Sequence, residues 1–415
     1  MGCIYLYVLR DKEMNDVKKH TSGVVAFSGG LDTSMLVPYI RENYGLEKVI
    51  TCVVDTGAMT DTIKDEVIKR ADEVGSDEHV CIDAAQAYYD EIIKYLIFGH
   101  VSRDGYPLSV GSERLIQARE TIKFTKDRGI DLVANGCTGA GNDQYRFDLV
   151  AHVLGGGIDT ITPVREHNIK REFSVQFLKD HQITVPEKSK YSYNAGLWGV
   201  SIGGEETHTS EGLIPEDAWY SKPDEALSGE KIQIIFEKGE AVSLKTQDSE
   251  INGALDIIRK LGELGSAYGI GRHYHLGTSI PGKKGRIAYE SPAADILDEA
   301  HRTLEKHVMT QGQISFKKNI SDEFGRLIHE ALFFDPSLND LRAYLESSQN
   351  RVTGICTVYL RPSHIGAVTV DTPYDLLVGS GSVYGEYSDF YNAVEAEGAS
   401  KLHAYEQIIY QNIKK

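Results

Sequence analysis

Short apolar runs alternate with amphipathic segments between residues 21 and 187. The runs GVVAF, KVITCVVD, HVCID and DLVAN have the length and the β-branched content of buried strands. The segment from Thr60 to Val74 carries apolar residues at helical spacing, namely Ile63, Val67, Ala71 and Val74. Further helices are expected at about 33–44, 84–98 and 113–129. This alternation predicts an α/β domain in which helices cover both faces of a parallel sheet.

The pattern changes after residue 187. Residues 188–230 are rich in Gly, Ser, Glu and Tyr without periodicity, which predicts a long loop region that carries binding residues. A second, α+β domain is predicted from a hairpin around Lys238-Gly239, helices at about 249–268, 293–309 and 322–334, and the strands RVTGICTVYL and GAVTV. In the last segment, Ala399 to Ile413, one helical face carries Leu402, Tyr405, Ile408 and Ile409.

The composition excludes several classes of protein. The chain of 415 residues has a net charge of −17, and an acidic chain repels phosphate backbones, so a nucleic-acid partner is not expected. No apolar run approaches the roughly 20 residues of a membrane helix, so no membrane partner is expected. The five cysteines include no C-x-x-C pair, which predicts a reducing, cytoplasmic compartment without a disulfide framework or a metal site.

A glycine-rich string lies between the first predicted strand and the first predicted helix. It consists of Ala26, Phe27, Ser28, Gly29, Gly30, Leu31, Asp32, Thr33 and Ser34. The glycines let the backbone approach a ligand closely, and a helix N-terminus presents free N–H groups to an anion. The lysine of a Walker loop is absent. The pattern S-G-G-x-D-[ST]-S is that of the pyrophosphate loop of the ATP pyrophosphatase superfamily; the alternative is a glycine turn with a Ser or Asp helix cap.

A second polar string follows the strand DLVAN. It runs from Gly136 to Asp148 and contains Thr138, Asn142, Asp143 and Arg146. Its position after a strand places it at the carboxyl edge of the sheet, where open α/β folds bind ligands. Asp143 could bind the ammonium of an amino acid and Arg146 a carboxylate. The alternative is helix capping with a surface ion pair.

Both strings resemble the argininosuccinate synthase family. The first is similar to A-[YF]-S-G-G-L-D-T-S and the second to G-x-T-G-x-G-N-D-Q-x-R-F-[ED]. Downstream, Tyr191-Ser192, Ser201 and KKGRIAYESPAADIL at 283–297 resemble further family segments, so the likeness covers about residues 22–413. The resemblance implies an ATP-dependent ligase: citrulline is adenylated at its ureido oxygen, pyrophosphate leaves, and aspartate displaces AMP to give argininosuccinate.

The resemblance also implies roles for single residues. ATP, arriving with Mg²⁺ as a substrate, would be bound by residues 26–34 with Val54 and Gly136. Aspartate would be bound by Thr138, Asn142 and Asp143. Citrulline would be bound by Tyr106, Asn142, Arg146, Ser192, Ser201 and Tyr289. Asp32, Asp143 and Arg146 would be the catalytic residues.

Four parts of the chain are therefore predicted. Residues 1–20 form a poorly ordered extension, and residues 21–187 form the ATP-pyrophosphatase domain. Residues 188–385 form the synthetase domain, and residues 386–415 a C-terminal oligomerisation helix. Because a short amphipathic helix is not stable alone in water, this helix is expected to dock on its own domain or on a neighbouring subunit. The resemblance implies a homotetramer.

Departures from the family pattern are concentrated on the citrulline side. Family threonine and serine positions are occupied by Val110 and Gly111, and the glutamate that would hold the ammonium of citrulline falls on Gly277. The family pattern D-x-N-L stands as Asn194-Ala195-Gly196-Leu197. Since a buried charge that loses its partner costs several kcal/mol, either nearby residues such as Glu205 and Glu206 compensate, or the acceptor is not citrulline.

Four functions remain open from the sequence. They are argininosuccinate synthase, a paralogous ligase that adenylates another ureido, amide or carboxylate acceptor, a tRNA-modifying relative, and a non-catalytic nucleotide-binding module. The third needs a basic face and paired cysteines, which the sequence lacks. The fourth does not explain the polar residues Asp143 and Arg146.

Overall fold

The computed structural model describes residues 20–186 and 190–413. The predicted extension lies outside the described residues except for His20, and the predicted boundary between residues 187 and 188 also lies outside them.

The first domain is built on a five-stranded sheet. Its strands are β1 Ser22–Ala26, β2 Lys48–Asp55, β3 Glu78–Asp83, β4 Leu132–Ala134 and β5 Asp159–Ile161. They lie in the order β3-β2-β1-β4-β5, and every pairing is parallel. The α/β class predicted from the alternating pattern is therefore confirmed. Because the strand order reverses at β1, a crevice opens beyond the carboxyl ends of β1 and β4.

Helices connect the strands of this sheet and follow its last strand. They are α1 Leu31–Tyr44, α2 Asp61–Glu73, α3 Ala85–Tyr88, a π-helical turn Tyr89–Ile93, α4 Lys94–Gly99, α5 Ser109–Asp127, α6 Asp143–Leu154, α7 Pro163–Glu166 and α8 Arg171–Asp180. Helix α5 begins at Ser109 rather than at the predicted Glu113. The additional first turn is held by Ser112, whose hydroxyl donates to the carbonyl of Leu108 at 2.8 Å.

Between residues 190 and 413, nine strands form two antiparallel sheets. The strands are β6 Ser192–Gly196, β7 Gly199–Gly203, β8 Glu230–Glu237, β9 Glu240–Lys245, β10 Glu250–Asn252, β11 Arg272–Thr278, β12 Lys284–Glu290, β13 Gly354–Arg361 and β14 His364–Asp371. One sheet has the order β10-β9-β8-β13-β14, and the other has the order β11-β12-β7-β6. The predicted hairpin at Lys238-Gly239 is confirmed as the turn between β8 and β9.

The prediction of an irregular loop over residues 188–230 is wrong in part. Strands β6 and β7 form a tight hairpin there, and β7 pairs with β12. The polar, glycine-rich sequence of β6, which is largely exposed, hides the strand from a hydrophobicity pattern. This hairpin brings Ser192 and Asn194 to the edge of the first domain.

The remaining helices pack around these sheets or extend beyond them. They are α9 Ala254–Ala267, α10 Pro292–Val308, α11 Gln311–His329, α12 Ser337–Ser348, α13 Ala393–His403 and α14 Tyr405–Asn412. A helix was predicted from Ala399, but two helices occur instead, and the side chain of Asn392 caps the first by accepting hydrogen bonds from Val394 and Glu395. Neither α13 nor α14 contains a buried residue.

One buried apolar cluster joins the two halves of the chain. Ile92 and Phe98 from the first domain pack in the same cluster as Phe236, Leu297 and Phe324 from the second. At about 25 cal/mol per Å² of buried apolar surface, aromatic side chains of this size stabilise an interface strongly. Trp198 from the β6–β7 turn and Tyr289 from β12 belong to the same cluster, so the shared core holds both segments against the first domain.

Candidate active site

The predicted phosphate loop connects β1 to α1. Gly29 has a φ of +73°, a conformation that L-residues other than glycine rarely adopt, and Gly30, the residue before α1, provides no side-chain cap. The hydroxyls of Ser28 and Thr33 lie 3.2 Å apart across the turn. The first amides of α1 are thus free to meet an anion in a loop lined by two hydroxyl groups.

Other members of the loop face inward. The Ser34 hydroxyl donates to the carbonyl of Gly29 at 3.2 Å and accepts from Arg70 Nε at 2.8 Å. Leu31 is part of a buried apolar cluster. Asp32 accepts a hydrogen bond from Ser174 at 3.3 Å, and burial raises the pKa of its carboxyl despite Ser174 and the nearby Arg171. These residues shape the loop, whereas Ser28 and Thr33 present hydroxyls to the cleft.

A cleft of about 470 Å³ opens at the carboxyl ends of the first two strands and of β4. Nine of the residues predicted from the sequence line it: Ala26, Phe27, Ser28, Thr33, Val54, Gly136, Thr138, Asp143 and Ser192. A Cβ on Gly136 would stand 3.2 Å from the Thr33 methyl group, so the glycine lets the second string approach the phosphate loop closely. The two strings therefore meet in one cleft.

Asp143 begins helix α6 at the wall of this cleft. Its carboxylate accepts hydrogen bonds from Arg146 Nη1 at 2.8 Å and from Arg114 Nε at 3.3 Å. Burial pushes the pKa of Asp143 upward, but the two guanidinium groups outweigh it and hold the pKa below its usual value. Asp143 is therefore an ionised carboxylate, and a substrate ammonium would share it with two arginines.

Asn142, immediately before α6, has a different contact. Its side-chain oxygen accepts a hydrogen bond from the amide of Ile280 at 2.9 Å. This bond ties the turn after β11 to the start of α6. Asn142 does not line the cleft, whereas exposed Thr138 does.

Arg146 is 4% exposed and lies behind Asp143. Its Nη2 donates to the carbonyl of His329 at 3.3 Å, and its Nε is buried without an acceptor among the described residues. A Cβ on Gly111 would stand only 2.9 Å from Nη2. The glycine at position 111 therefore makes room for the guanidinium group.

Three of the residues predicted to face citrulline form a buried group apart from the cleft. The rings of Tyr106 and Tyr289 meet edge to face with centroids 5.1 Å apart. Ser201 on β7 stands opposite Tyr289 on β12 in the strand register. Burial raises the pKa of both tyrosine hydroxyls. The sixth residue of this prediction, Ser192, lines the cleft at its exposed rim.

Arg114 is a cleft residue that the sequence analysis missed. Its guanidinium contacts Asp143, donates from Nη1 to Gln117 at 2.5 Å, and donates from Nη2 to Asn194 at 3.3 Å. Gln117 and Asn194 also line the cleft. The signal for Arg114 is its place one turn into α5, close to Val110 and Gly111, where the sequence departs from the family pattern.

Glu113, next to Arg114, is a second missed residue. It is 2% exposed, accepts a hydrogen bond from the Thr56 hydroxyl at 2.9 Å, and lies 3.4 Å from Arg114 Nη1. Burial raises the pKa of Glu113 to about 7, against the lowering effects of Arg114 and Thr56. This carboxyl group therefore titrates near neutral pH beside the cleft.

A cluster of His100, His301 and Glu305 has the composition of a metal-ligand set, but it lies away from the cleft. The ammonium of Lys317 already binds the carboxylate of Glu305, at 2.6 Å from Oε1, and donates to the carbonyl of Phe98 at 2.7 Å. The negative charge of the buried Glu305 carboxylate is thus neutralised by Lys317. Among residues 20–186 and 190–413, no helix has the length and apolar content needed to cross a membrane.

Comparisons with known proteins agree over nearly the whole chain. Residues 22–184 match the family model described as the arginosuccinate synthase N-terminal HUP domain, and residues 191–410 match the arginosuccinate synthase C-terminal domain. The argininosuccinate synthase of Methanocaldococcus jannaschii is 33% identical over 395 residues, which cover 94% of this chain and 98% of that protein. The corresponding protein of Xanthomonas campestris pv. campestris is 35% identical over 407 residues, with 94% and 98% covered.

A third relative gives the same result. The argininosuccinate synthase of Archaeoglobus fulgidus is 36% identical over 361 residues, which cover 85% of this chain and 90% of that protein. The resemblance stated from the two sequence strings is confirmed by both family models and by these relatives. Together with the ATP-pyrophosphatase fold and the phosphate loop, they establish that the chain belongs to the argininosuccinate synthase family of ATP-dependent ligases.

Proposed function

We propose that this protein joins aspartate to citrulline at the expense of ATP. The ureido oxygen of citrulline attacks the α-phosphorus of ATP, and the bond to pyrophosphate breaks. The amine of aspartate then attacks the ureido carbon of citrullyl-AMP, loses a proton, and displaces AMP. The observation that carries the proposal is the cleft in which Ser28 and Thr33 face Asp143 and Arg114. Adenylation supplies the leaving group, and the protein supplies orientation and charge stabilisation.

The phosphate loop supports binding of the β- and γ-phosphates. The free amides at the start of α1 and the hydroxyls of Ser28 and Thr33 would bind pyrophosphate as the leaving group. The adenosine would lie against Val54 and Gly136, which line the same cleft. The α-phosphorus would then be left open to a nucleophile. Mg²⁺ would arrive with ATP and neutralise phosphate charge.

The second string supports binding of the amine substrate. Ionised Asp143 would accept the ammonium of aspartate, and exposed Thr138 would donate to one of its carboxylates. Arg114 and Arg146 hold the Asp143 carboxylate in place from two sides. Because the bonds from both arginines leave lone pairs on the carboxylate, an ammonium can join them without displacing either.

The acceptor would bind between the cleft rim and the buried group behind it. Ser192 and Asn194 lie on the rim, and Arg146, Tyr106, Ser201 and Tyr289 lie behind it. Arg146 is suited to bind a carboxylate because its Nε has no acceptor among the described residues. Entry of the acceptor requires movement of these buried residues, as expected for a site that closes on its substrates.

The C-terminal arm, residues 372–413, supports assembly into an oligomer, which we infer to be a homotetramer. Tyr384 is 100% exposed and Phe390 is 89% exposed, and α14 exposes Tyr405, Ile408 and Ile409. An apolar surface of this kind marks a protein–protein contact. A cytoplasmic location is inferred from Cys52, Cys81, Cys137 and Cys356, which form no disulfide.

An omission assay tests the proposed reaction. Pyrophosphate release is measured with ATP, aspartate and citrulline, and each substrate is left out in turn. We expect release to require ATP and the acceptor, and the formation of argininosuccinate and AMP to require all three. Orthophosphate and ADP as the products would overturn the proposal, because they would place the attack at the γ-phosphorus.

A further inference from the structure

Helix α2 packs against the glycine turn of the phosphate loop. A Cβ on Gly29 would stand 3.6 Å from Val67 Cγ2 and 3.8 Å from Arg70 Cγ. Val67 and Arg70 lie one turn apart on α2. The aliphatic stem of Arg70 therefore lies beside the turn at which the loop would approach the phosphates of ATP closely.

The guanidinium group of Arg70 holds the loop from the side of α2. Its Nε donates to the hydroxyl of Ser34 at 2.8 Å, and this hydroxyl donates to the carbonyl of Gly29 at 3.2 Å. Arg70 is thus connected through one hydroxyl to the residue that carries the left-handed turn. These two bonds fix the carbonyl of Gly29 and, with it, the direction of the free amides at the start of α1.

Part of this cation has no partner in the protein. Arg70 Nη1 donates to Glu73 at 2.8 Å, but Nη2 is buried without an acceptor among residues 20–186 and 190–413. The side chain of Arg70 is 11% exposed and that of Glu73 is 33% exposed, so solvent screens the carboxylate more than the guanidinium. A buried donor without a partner costs free energy, and an anion close to it would reduce that cost.

Two further arginines near the cleft and the loop are less suited to meet a phosphate. Arg114 lines the cleft, but its guanidinium is bound to Asp143. Arg171 lies near Asp32, but it is exposed, so solvent screens its charge. The loop itself contains no lysine or arginine.

The leaving group of the proposed reaction needs a full positive charge nearby. Pyrophosphate carries several negative charges, whereas hydroxyls and the amides of a helix start supply only partial positive charges. In a Walker loop, the lysine supplies the full charge from within the loop. Here the half-satisfied, largely buried cation that adjoins the loop is Arg70.

We propose that Arg70 supplies from α2 the positive charge that a Walker lysine would supply from within the loop. The inference rests on the proposed ligase function and adds a positioning residue for its leaving group. Arg70 holds the loop through Ser34 and stabilises the charge on the β- and γ-phosphates, which grows as the bond to the α-phosphorus breaks.

Calorimetric titration of the full chain with ATP, pyrophosphate and AMP, each with Mg²⁺, tests the proposal. Arg70→Gln removes the charge but keeps a side-chain donor, and it is expected to weaken the binding of ATP and of pyrophosphate about tenfold or more. AMP lacks the two outer phosphates, so its affinity should stay within about twofold of the wild-type value. Wild-type affinity for pyrophosphate would overturn the proposal. An equal loss for AMP would also overturn it, because it would show general damage to the site.

Two further variants separate the charge of Arg70 from its hydrogen bond. Arg70→Lys keeps the charge without the planar fork, and it should recover most of the lost affinity for pyrophosphate. Ser34→Ala removes the acceptor of Nε and keeps the charge, and it should cost less affinity than Arg70→Gln. A loss in either variant as large as that in Arg70→Gln would overturn the role of the charge.

The matched control is Arg128→Gln, which removes the same charge at the other edge of the sheet. Arg128 follows α5 and donates from Nη2 to Glu78 at 2.6 Å. Glu78 begins β3, so this pair lies at the amino edge, away from the cleft. All three affinities should stay unchanged. A loss of pyrophosphate affinity equal to that in Arg70→Gln would overturn the proposal, because net charge alone would then explain the effect.

Failure of the ligase function gives a different result. A wild-type protein that bound neither ATP nor pyrophosphate would overturn the proposed function, and the inference with it. Wild-type binding of both ligands that Arg70→Gln leaves unchanged would overturn the inference alone.

Discussion

The carboxylate of Glu113 lies 2.5 Å from the point where a Cβ on Gly196 would stand. The two residues come from α5 and from the β6–β7 hairpin, so this contact joins the two domains at the cleft. Gly196→Ala is expected to lower the free energy of unfolding by about 1–3 kcal/mol, because the added methyl group collides with a buried carboxylate.

Truncation of the Glu113 side chain to alanine should remove this collision. In the double variant Glu113→Ala, Gly196→Ala the two effects should not add, and the coupling energy is expected to be about 1 kcal/mol or more. Urea unfolding of the wild type, both single variants and the double variant measures it. Additive effects would show that Glu113 has moved away from Gly196.

Ionisation of Glu113 should make the stability of the protein depend on pH. Its pKa is raised from 4.5 to about 7 in the folded protein. A carboxyl group with a raised folded-state pKa contributes stability in its neutral form below pH 4.5, and this contribution is lost as the pH rises through 7. Relative to Glu113→Gln, the wild type is expected to lose about 3 kcal/mol of unfolding free energy between pH 4.5 and pH 8. Urea unfolding of both proteins across this range checks it, and parallel curves would contradict it.

The phosphate loop can be tested by a pair of glycine substitutions on one helix. Gly29 precedes α1 and Gly45 follows it, and their φ angles are +73° and +75°. Alanine at either position should cost about 1 kcal/mol of stability, because both backbones are left-handed. Only Gly29→Ala should also weaken ATP binding, by about tenfold or more, since it disturbs the amides at the start of α1. Calorimetric titration with ATP measures this difference, and equal affinities of the two variants would contradict the loop assignment.

Substitution of Asp143 should impair the reaction of the amine substrate aspartate without weakening ATP binding. Asp143→Ala leaves Arg114 and Arg146 without their shared carboxylate. We expect kcat/KM for aspartate to fall by an amount equivalent to about 2–5 kcal/mol of transition-state stabilisation, while ATP binding is retained. Asp148→Ala is the matched control, because Asp148 lies on the same helix but pairs with Arg165. Product formation at the wild-type rate by Asp143→Ala would remove this residue from the amine site.

The exposed arm should control assembly. A chain truncated after Gly398 lacks α14 and the last five of the 11 residues of α13, and with them the apolar residues Leu402, Tyr405, Ile408 and Ile409. We expect the assembly mass to fall toward that of smaller species, as measured by light scattering behind size exclusion. An unchanged mass would place the oligomer contact elsewhere.

Local chemistry was predictable from the sequence, and contacts between distant segments were not. The string at Ser28 to Ser34 and the string at Gly136 to Asp148 are continuous, so a strand, a turn and a helix start suffice to predict their place at one edge of the sheet. The inward turn of Ser34 toward Arg70 was not visible, because it depends on how α2 packs beside the loop.

The residues around Gly277 show most clearly what the sequence could not predict. Gly277 was recognised as a departure from the family pattern, and it lies two positions after His275 on strand β11. Their shared face could have been inferred from strand geometry. That the imidazole stacks on Tyr106 depends on the pairing of β11 with β12 and on the docking of the two domains. The sequence therefore indicated that His275 and Gly277 are neighbours, but it did not indicate that His275 contacts Tyr106.

The C-terminal helices α13 and α14 have 11 and 8 residues, and neither contains a buried residue. Helices of this length are marginal in water without a surface to cover them. If an oligomer contact covers these two helices, as proposed, dilution should unwind them before it affects the two domains. The concentration of the protein itself would thus determine how much of its own chain is folded.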